Sequence, residues 1–195
     1  MRTRQDGPVM DDFEALDRSA QVWRDALAVL PEDLSADSYI ETWTLADLVN
    51  HVHGGGIRYR MYVEGPDPEL VQATRTADHT VPSPVEVFDA SQKALRDALA
   101  PHPGETVPHP ALTMSTEQLL RLRCLELTVH AWDIAKSVSL DGVEVCPMPL
   151  DLAQWVATEM VDSLAGLRGQ GYFVEPVGEP LDDQRAELLR LCGRG

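Results

Sequence analysis

Apolar residues recur at helical spacing in five segments of the chain, and no stretch alternates apolar and polar residues well enough to predict a strand. By residue number, the predicted helices are 11–30, 44–62, 83–99, 115–138 and 149–169, with a last short helix at about 183–191. The pattern therefore predicts an all-α protein.

Residues at the starts of three segments support these helices. Thr44 is followed three residues later by Asp47, which is typical of a box-like N-cap. Ser83 has the form of a cap with Pro84 at the first helical position, where the missing N–H costs nothing. Ser115 opens the fourth helix with a similar signal. We expect all three helices to begin at these residues.

The connections are long for a helical bundle. They comprise residues 31–43, 63–82, 101–114 and 139–148, and they are polar or rich in proline. We expect them to pack across the bundle ends or to shape an opening. Residues 169–182 contain a few β-prone side chains and two prolines, which suggests an extended return segment. The chain is interpreted as a bundle domain over residues 1–168 and a C-terminal extension over 169–195 that packs on it.

The net charge of the chain indicates which classes of partner are not expected. The 195 residues carry 32 acidic side chains against 16 Lys and Arg, for a formal net charge of −16. Such a surface repels phosphate backbones and anionic headgroups, so nucleic acid and membranes are not expected partners. The N-terminal residues are not expected to form a secretory leader, and no apolar run approaches the roughly 18 residues of a membrane-spanning helix. Three widely spaced cysteines do not suggest a disulfide framework. The predicted location is the cytoplasm.

The fourth helix carries ionisable residues on an apolar face. His130 and Asp133 lie within about 40° of Glu126 around the helix axis. The apolar residues on the same side are Leu119, Leu122 and Val129. A buried carboxylate needs compensation. Residues four apart on a helix have Cβ atoms about 6 Å apart, so Glu126 and His130 could share one cation. They could equally form a buried ion pair at a helix contact.

The second helix supplies a third candidate ligand. His51 lies on one stripe with the apolar face, whereas His53 is about 200° away around the helix, so both cannot face inward. The stripe favours His51, and His53 is expected to be a surface or helix-end residue. One ligand from this helix with Glu126 and His130 from the fourth would leave coordination positions open, as in a catalytic metal site.

These residues carry a resemblance to a known family. The segments 43–51 (WTLADLVNH) and 126–135 (ELTVHAWDIA) resemble the DinB-like superfamily. More specifically, they resemble the N-terminal metal-binding domain of mycothiol-dependent maleylpyruvate isomerase and its short stand-alone relatives in actinobacteria. The ending over residues 185–195 is similar to that of a short subgroup of those relatives.

The resemblance implies a DinB-like four-helix bundle. It also implies His51, Glu126 and His130 as metal ligands, usually of zinc, although nickel, iron or manganese could occupy the same ligands. Oligomeric state is open, and a homodimer is compatible with the family.

The resemblance implies a chemistry class but not a reaction. The isomerase has a second domain that contributes to its active site, whereas this chain has only the tail 169–195, so maleylpyruvate isomerisation does not carry over. The favoured function is a metal-dependent enzyme that activates mycothiol or water against a small electrophile, as a transferase, isomerase or hydrolase. Arg58, Arg60 or Arg123 would supply a basic contact for an anionic thiol. The alternatives are a non-catalytic module binding a metal or small ligand, and a dimerising scaffold.

Four further features near the candidate ligands were considered for a role in the site. Asp133 could accept the second N–H of a ligand histidine or cap a loop. Arg58 could receive a carboxylate substrate, or it could form a surface salt bridge. Residues 54–56 (GGG) lack the context of a phosphate loop and are expected to allow close approach of another helix or to loosen the second helix near the site. Cys124 lies on the far side of its helix from Glu126 and is rejected as a ligand or nucleophile.

Overall fold

The computed structural model describes residues 10–138 and 148–194, and these residues form seven helices and one small hairpin. The helices are α1 (Asp12–Leu27), α2 (Leu45–Glu64), α3 (Pro68–Ala73), α4 (Pro84–Leu99), α5 (Thr116–Val138), α6 (Leu150–Gly169) and α7 (Gln184–Leu191). The antiparallel strands are β1 (Thr106–Val107) and β2 (Met114–Ser115). The all-α prediction is confirmed.

The helix starts follow the capping chemistry of the sequence. At α2 the Thr44 hydroxyl accepts from Asp47 N at 3.1 Å, and the Asp47 carboxylate accepts from Thr44 N at 2.9 Å. At α5 the Ser115 hydroxyl accepts from Gln118 N, and the Gln118 side chain accepts from Ser115 N. At α4 the Ser83 hydroxyl accepts from Glu86 N. These bonds satisfy backbone N–H groups that have no partner inside a helix.

Four helices close a ring around the core. Each of α1, α5, α2 and α4 packs on the next, and α4 returns to α1. α6 lies outside this ring against α5 and α1, and α7 packs on α6. The largest fully buried apolar side chains are Trp23, Phe88, Leu16, Leu45, Leu48, Leu95, Leu119, Leu125, Leu127, Ile134 and Leu152. Each such side chain contributes about 1.5–3 kcal/mol on burial, so this core holds the helices in register.

Two elements were not predicted from the sequence. α3 lies in the connection 63–82, where Asp67 caps it and Pro68 takes its first position. It spans six residues and buries none of them, so it leaves no periodic pattern. The strands β1 and β2 have two residues each and are equally invisible to pattern. The first predicted helix also ends earlier than expected, at Leu27.

The C-terminal extension contacts the bundle through backbone and side-chain bonds. Arg168 at the end of α6 donates to the carbonyl oxygens of Val174 and Leu191, the former at 3.1 Å. Residues 170–182 contain turns and irregular backbone and no strand. The division at residue 168 stays a prediction. Most of the connection 139–148, with Cys146, lies outside the described residues.

Over residues 10–138 and 148–194, no helix combines the length and the apolar character needed to span a bilayer.

Candidate functional site

Two histidines from different helices meet at the inner faces of α2 and α5. The ring centroids of His51 and His130 are 5.1 Å apart, and the ring planes are inclined by 78°. Two imidazoles bound to one cation at metal–nitrogen distances of about 2.1 Å have ring centres on the order of 5 Å apart. The structure therefore brings together the two histidines that the sequence nominated, at a separation that suits a shared cation.

Glu126 lies one turn before His130 and lines the same cavity as both histidines. Its Oε1 accepts a hydrogen bond from the Tyr59 hydroxyl at 2.8 Å. Its Oε2 is 3.6 Å from Arg123 Nη1, which is an ion pair but too long for a hydrogen bond, and this buried oxygen has no hydrogen-bond partner. Across residues 10–138 and 148–194, no three His, Cys, Asp or Glu side chains already form a set that would hold a metal.

His51 is held in its neutral form by its surroundings. Burial, together with the neighbouring charges of His130 and Arg58, lowers its pKa to about 3. In the described part of the chain neither ring nitrogen has a hydrogen-bond partner. A neutral imidazole with an unused lone pair is the form that binds metal ions.

Asp133 fixes the orientation of His130. His130 Nδ1 donates to Asp133 Oδ2 at 2.8 Å, and Arg194 donates to the same carboxylate at 3.1 and 2.8 Å. Burial alone would raise the pKa of Asp133, but the bonds from His130 and Arg194 outweigh it and the pKa is lowered. With the proton on Nδ1, the lone pair of His130 is on Nε2. Of the two roles open to Asp133, the structure shows the bond to the histidine.

The glycine run 54–56 makes room for the polar side chains around the site. A Cβ atom added at any of the three positions would meet a charged side chain rather than another helix backbone. The nearest atoms, in chain order, are Arg58 Nη1 at 2.8 Å, Glu126 Oε2 at 3.4 Å and Arg123 Nη2 at 2.8 Å. The expected close approach is thus made by side chains of α2 and α5.

Comparison with protein families identifies the bundle. The model of the mycothiol maleylpyruvate isomerase N-terminal domain matches residues 16–135, more than half of the chain. The chain belongs to this family. It is a member of the DinB-like superfamily, as the resemblance of the sequence had indicated. Comparisons with curated proteins and with solved structures found no match. The matched residues include His51, Glu126 and His130, whereas Arg194 lies beyond them.

The surface position expected for His53 is wrong. His53 is fully buried, with Trp23 Nε1 donating to its Nε2 at 3.2 Å and its Nδ1 donating to the His79 carbonyl at 2.9 Å. Burial lowers its pKa to about 4. The helical angle correctly turned His53 away from His51, but that other face packs against α1 and the residue 79 loop. Both nitrogens are used, so His53 is not a candidate ligand.

The surface salt bridge considered for Arg58 is also wrong. Arg58 is buried, and its Nη1 donates to the Thr74 hydroxyl at 3.1 Å. No carboxylate within the described residues lies at ion-pair distance from it. Its side chain lines the cavity beside His51, so the substrate-contact interpretation stays open.

The cavity beside the histidines has a volume of about 460 Å³, and its walls include residues that the sequence did not nominate. His109 lies in a proline-flanked connection, and its ring packs against Tyr59, Tyr62 and Tyr172. Its Nδ1 accepts from Ala111 N at 3.2 Å. In the sequence, His109 stands between two prolines outside any predicted helix. Helical spacing therefore could not relate it to the other site residues. The long connections do shape an opening, as expected.

The two described cysteines are buried thiols away from this chemistry. Burial raises the pKa of Cys124 and of Cys192 to about 12. Neither lines the cavity. Both are free, and Cys124 is excluded as a nucleophile, in agreement with its position on the helix.

Proposed function

We propose that this chain binds one divalent metal ion, with zinc favoured, through His51, Glu126 and His130. The observation that carries the proposal is the 5.1 Å separation between the ring centroids of His51 and His130. Beside them lies a buried oxygen of Glu126 that has no hydrogen-bond partner. Two nitrogens and one oxygen are a donor set that zinc accepts, with room for a further ligand. Membership of the family supports the same assignment.

We further propose that the chain is an enzyme acting on a small electrophile, with mycothiol or water as the nucleophile. When bound, the metal ion would act as a Lewis acid and would favour the deprotonated form of a thiol or water. The reaction would be a transfer, isomerisation or hydrolysis. Mycothiol is favoured because of the family to which the bundle belongs.

The residues around the site have separable tasks in this proposal. Asp133 holds the proton of His130 at Nδ1 and presents Nε2 to the cavity side of the ring. Tyr59 and Arg123 hold the carboxylate of Glu126 from two directions. The aromatic walls exclude water and take the apolar part of a substrate.

His109 favours an enzyme over a binding module. Because its Nδ1 accepts from a backbone N–H, the neutral ring carries its proton on Nε2. The ring lines the cavity that also contains Glu126, so a hydrogen-bond donor is available where an electrophile would lie. Burial lowers the pKa of His109, which keeps it neutral near pH 7.

The metal assignment is tested by elemental analysis of the untagged protein. We expect about one divalent metal per chain. His51→Ala should weaken metal affinity by more than about 100-fold, because removing a ligand exceeds the cost of losing a supporting group. His102→Ala is the matched control, since His102 is a half-exposed histidine that pairs with Glu105 and does not line the cavity. Metal content that is unaffected by His51→Ala would refute the proposed site.

The activity is tested with mycothiol and a panel of small electrophiles, with and without chelator. We expect turnover that the chelator abolishes. His109→Phe should lower kcat while metal content is unchanged, because it removes the hydrogen-bond donor and no ligand. A protein that binds metal stoichiometrically but turns over no electrophile would instead support the non-catalytic module.

A further inference from the structure

Arg58 is a buried cation with no carboxylate at ion-pair distance in the described part of the chain. Its one hydrogen bond goes to the neutral hydroxyl of Thr74. By contrast, the paired arginines are Arg18, Arg24, Arg60, Arg96, Arg121, Arg123, Arg190 and Arg194. Acidic side chains outnumber basic ones two to one in this chain, so an unpaired buried arginine is unexpected. A buried charge needs compensation, and an anionic ligand would supply it.

A second unpaired arginine lies beside the first. Arg75 follows α3 directly, is exposed, and forms no ion pair with any described residue. Burial lowers the pKa of Arg58, and the like charge of Arg75 lowers it further, which reflects the closeness of the two cations. Two guanidinium groups with no carboxylate between them repel each other unless an anion lies there.

The loop that carries Arg75 is fastened to α2. His79 N donates to Asn50 Oδ1 at 2.6 Å, and His79 Nε2 donates to the Thr74 carbonyl at 2.8 Å. The His79 carbonyl in turn accepts from His53. These bonds hold residues 74–79 against the helix that carries Arg58. The side chain of Arg58 and the backbone that carries Arg75 are therefore placed before any ligand arrives, which lowers the entropic cost of binding.

The arginines border two connected cavities. A polar cavity of about 610 Å³ and the aromatic cavity of about 460 Å³ are both lined by Trp43, His51, Arg58 and Arg75. Both volumes fall in the range of small-molecule sites. Asp47 also lines the polar cavity, but its carboxylate is bonded to Thr44 in the capping box of α2.

We propose that Arg58 and Arg75 bind the carboxylate of a small organic acid whose apolar part lies in the aromatic cavity beside His51. This deepens the proposed function by naming the substrate class, and it rests on that function only for the reaction, not for binding. Among the side chains that line the aromatic cavity, Arg194 is paired with Asp133, so Arg58, Arg75 and Glu126 leave a net charge of about +1, which matches a carboxylate. A phosphate dianion would bring excess negative charge towards Glu126.

Calorimetric titration of the full chain in chelator tests the subsite, with benzoate as the probe. Benzoate should bind, and binding should weaken as salt is added. Arg75→Gln should weaken it by at least about tenfold, because a charge-assisted hydrogen bond is lost. Benzamide, which has the same shape without the charge, should bind at least tenfold more weakly. Arg60→Gln should leave binding unchanged, since Arg60 on the same helix pairs with Glu64.

Arg58→Gln should weaken benzoate as Arg75→Gln does. Circular dichroism checks that this buried variant folds, and the exposed Arg75 carries the test if it does not. The proposal is overturned if benzoate fails to bind, if Arg75→Gln binds it as the wild type does, or if benzamide matches it. Tighter binding of inorganic phosphate than of benzoate would also overturn the choice of a carboxylate.

The proposal of an arginine subsite and the proposal of a metal site can be refuted separately. His51→Ala should still bind benzoate in chelator, even though it is expected to lose the metal. Benzoate binding that appears only after zinc is added would place the carboxylate on the metal, which refutes the arginine subsite and supports the metal site. Benzoate binding without any stoichiometric metal would do the reverse.

Discussion

Replacing Arg194 by alanine tests whether the last turn of the chain supports the site. The guanidinium of Arg194 donates to both carboxylate oxygens of Asp133, at 3.1 and 2.8 Å. The Asp133 side chain is fully buried and that of Arg194 is 15% exposed. In Arg194→Ala the carboxylate would keep only its bond to His130. Arg194 lies outside the segment that the family model matches, and it would thus affect His130 through Asp133.

The expected loss is set by burial. Breaking a buried ion pair by removing one partner costs about 3–5 kcal/mol, because the remaining charge is left uncompensated. The residual exposure of Arg194 places this variant at the lower end, at about 3 kcal/mol. Arg18 offers a matched control, since it binds Asp151 through two bonds of 2.7 and 2.8 Å but with side-chain exposures of 34% and 64%. Arg18→Ala should cost less than about 1 kcal/mol.

The measurement is urea unfolding followed by circular dichroism, in chelator so that metal binding adds no stability. A double-mutant cycle between Arg194→Ala and Asp133→Asn should show a coupling energy above about 1 kcal/mol. Metal affinity of Arg194→Ala should fall by about tenfold or more, because the orientation of His130 is less fixed. Equal losses for Arg194→Ala and Arg18→Ala would refute the argument from burial.

Three other outcomes are expected. Gly56→Ala should cost about 1–3 kcal/mol because its Cβ would lie 2.8 Å from the buried Arg123. Gly166→Ala, whose added Cβ would have its nearest contact at an ordinary 3.8 Å, should be neutral or stabilising by up to about 1 kcal/mol. Equal urea midpoints for the Gly56→Ala and Gly166→Ala variants would contradict this. His53 has a folded pKa of about 4 against an ordinary 6.5, so the unfolded chain binds the extra proton. The free energy of unfolding should therefore fall by about 3 kcal/mol as the pH drops from about 6.5 to about 4. His53→Gln should lose this part of the acid sensitivity, and an unchanged loss would count against it. Cys124 should be alkylated at pH 8 only after unfolding, since burial raises its pKa to about 12; peptide mapping of native protein checks this.

The sequence by itself determined the helices and nominated the site residues. Helical period and capping depend on neighbours within four residues, so the starts at Thr44 and Ser115 were readable without the fold. The spacing of Glu126 and His130 likewise follows from one helix, and the angle between His51 and His53 from another. The nomination of these three residues as metal ligands remains a proposal, although the structure does bring their side chains to one cavity.

Only the tertiary structure decided which neighbours these residues have. His53 is buried because α1 brings Trp23 against it, and Arg58 is unpaired because the loop after α3 offers it Thr74 rather than a carboxylate. Arg194 reaches Asp133 across 61 residues. A helical angle says which way a side chain points but not what another segment places there. Contacts between distant segments depend on how the helices pack, and no local pattern encodes that packing.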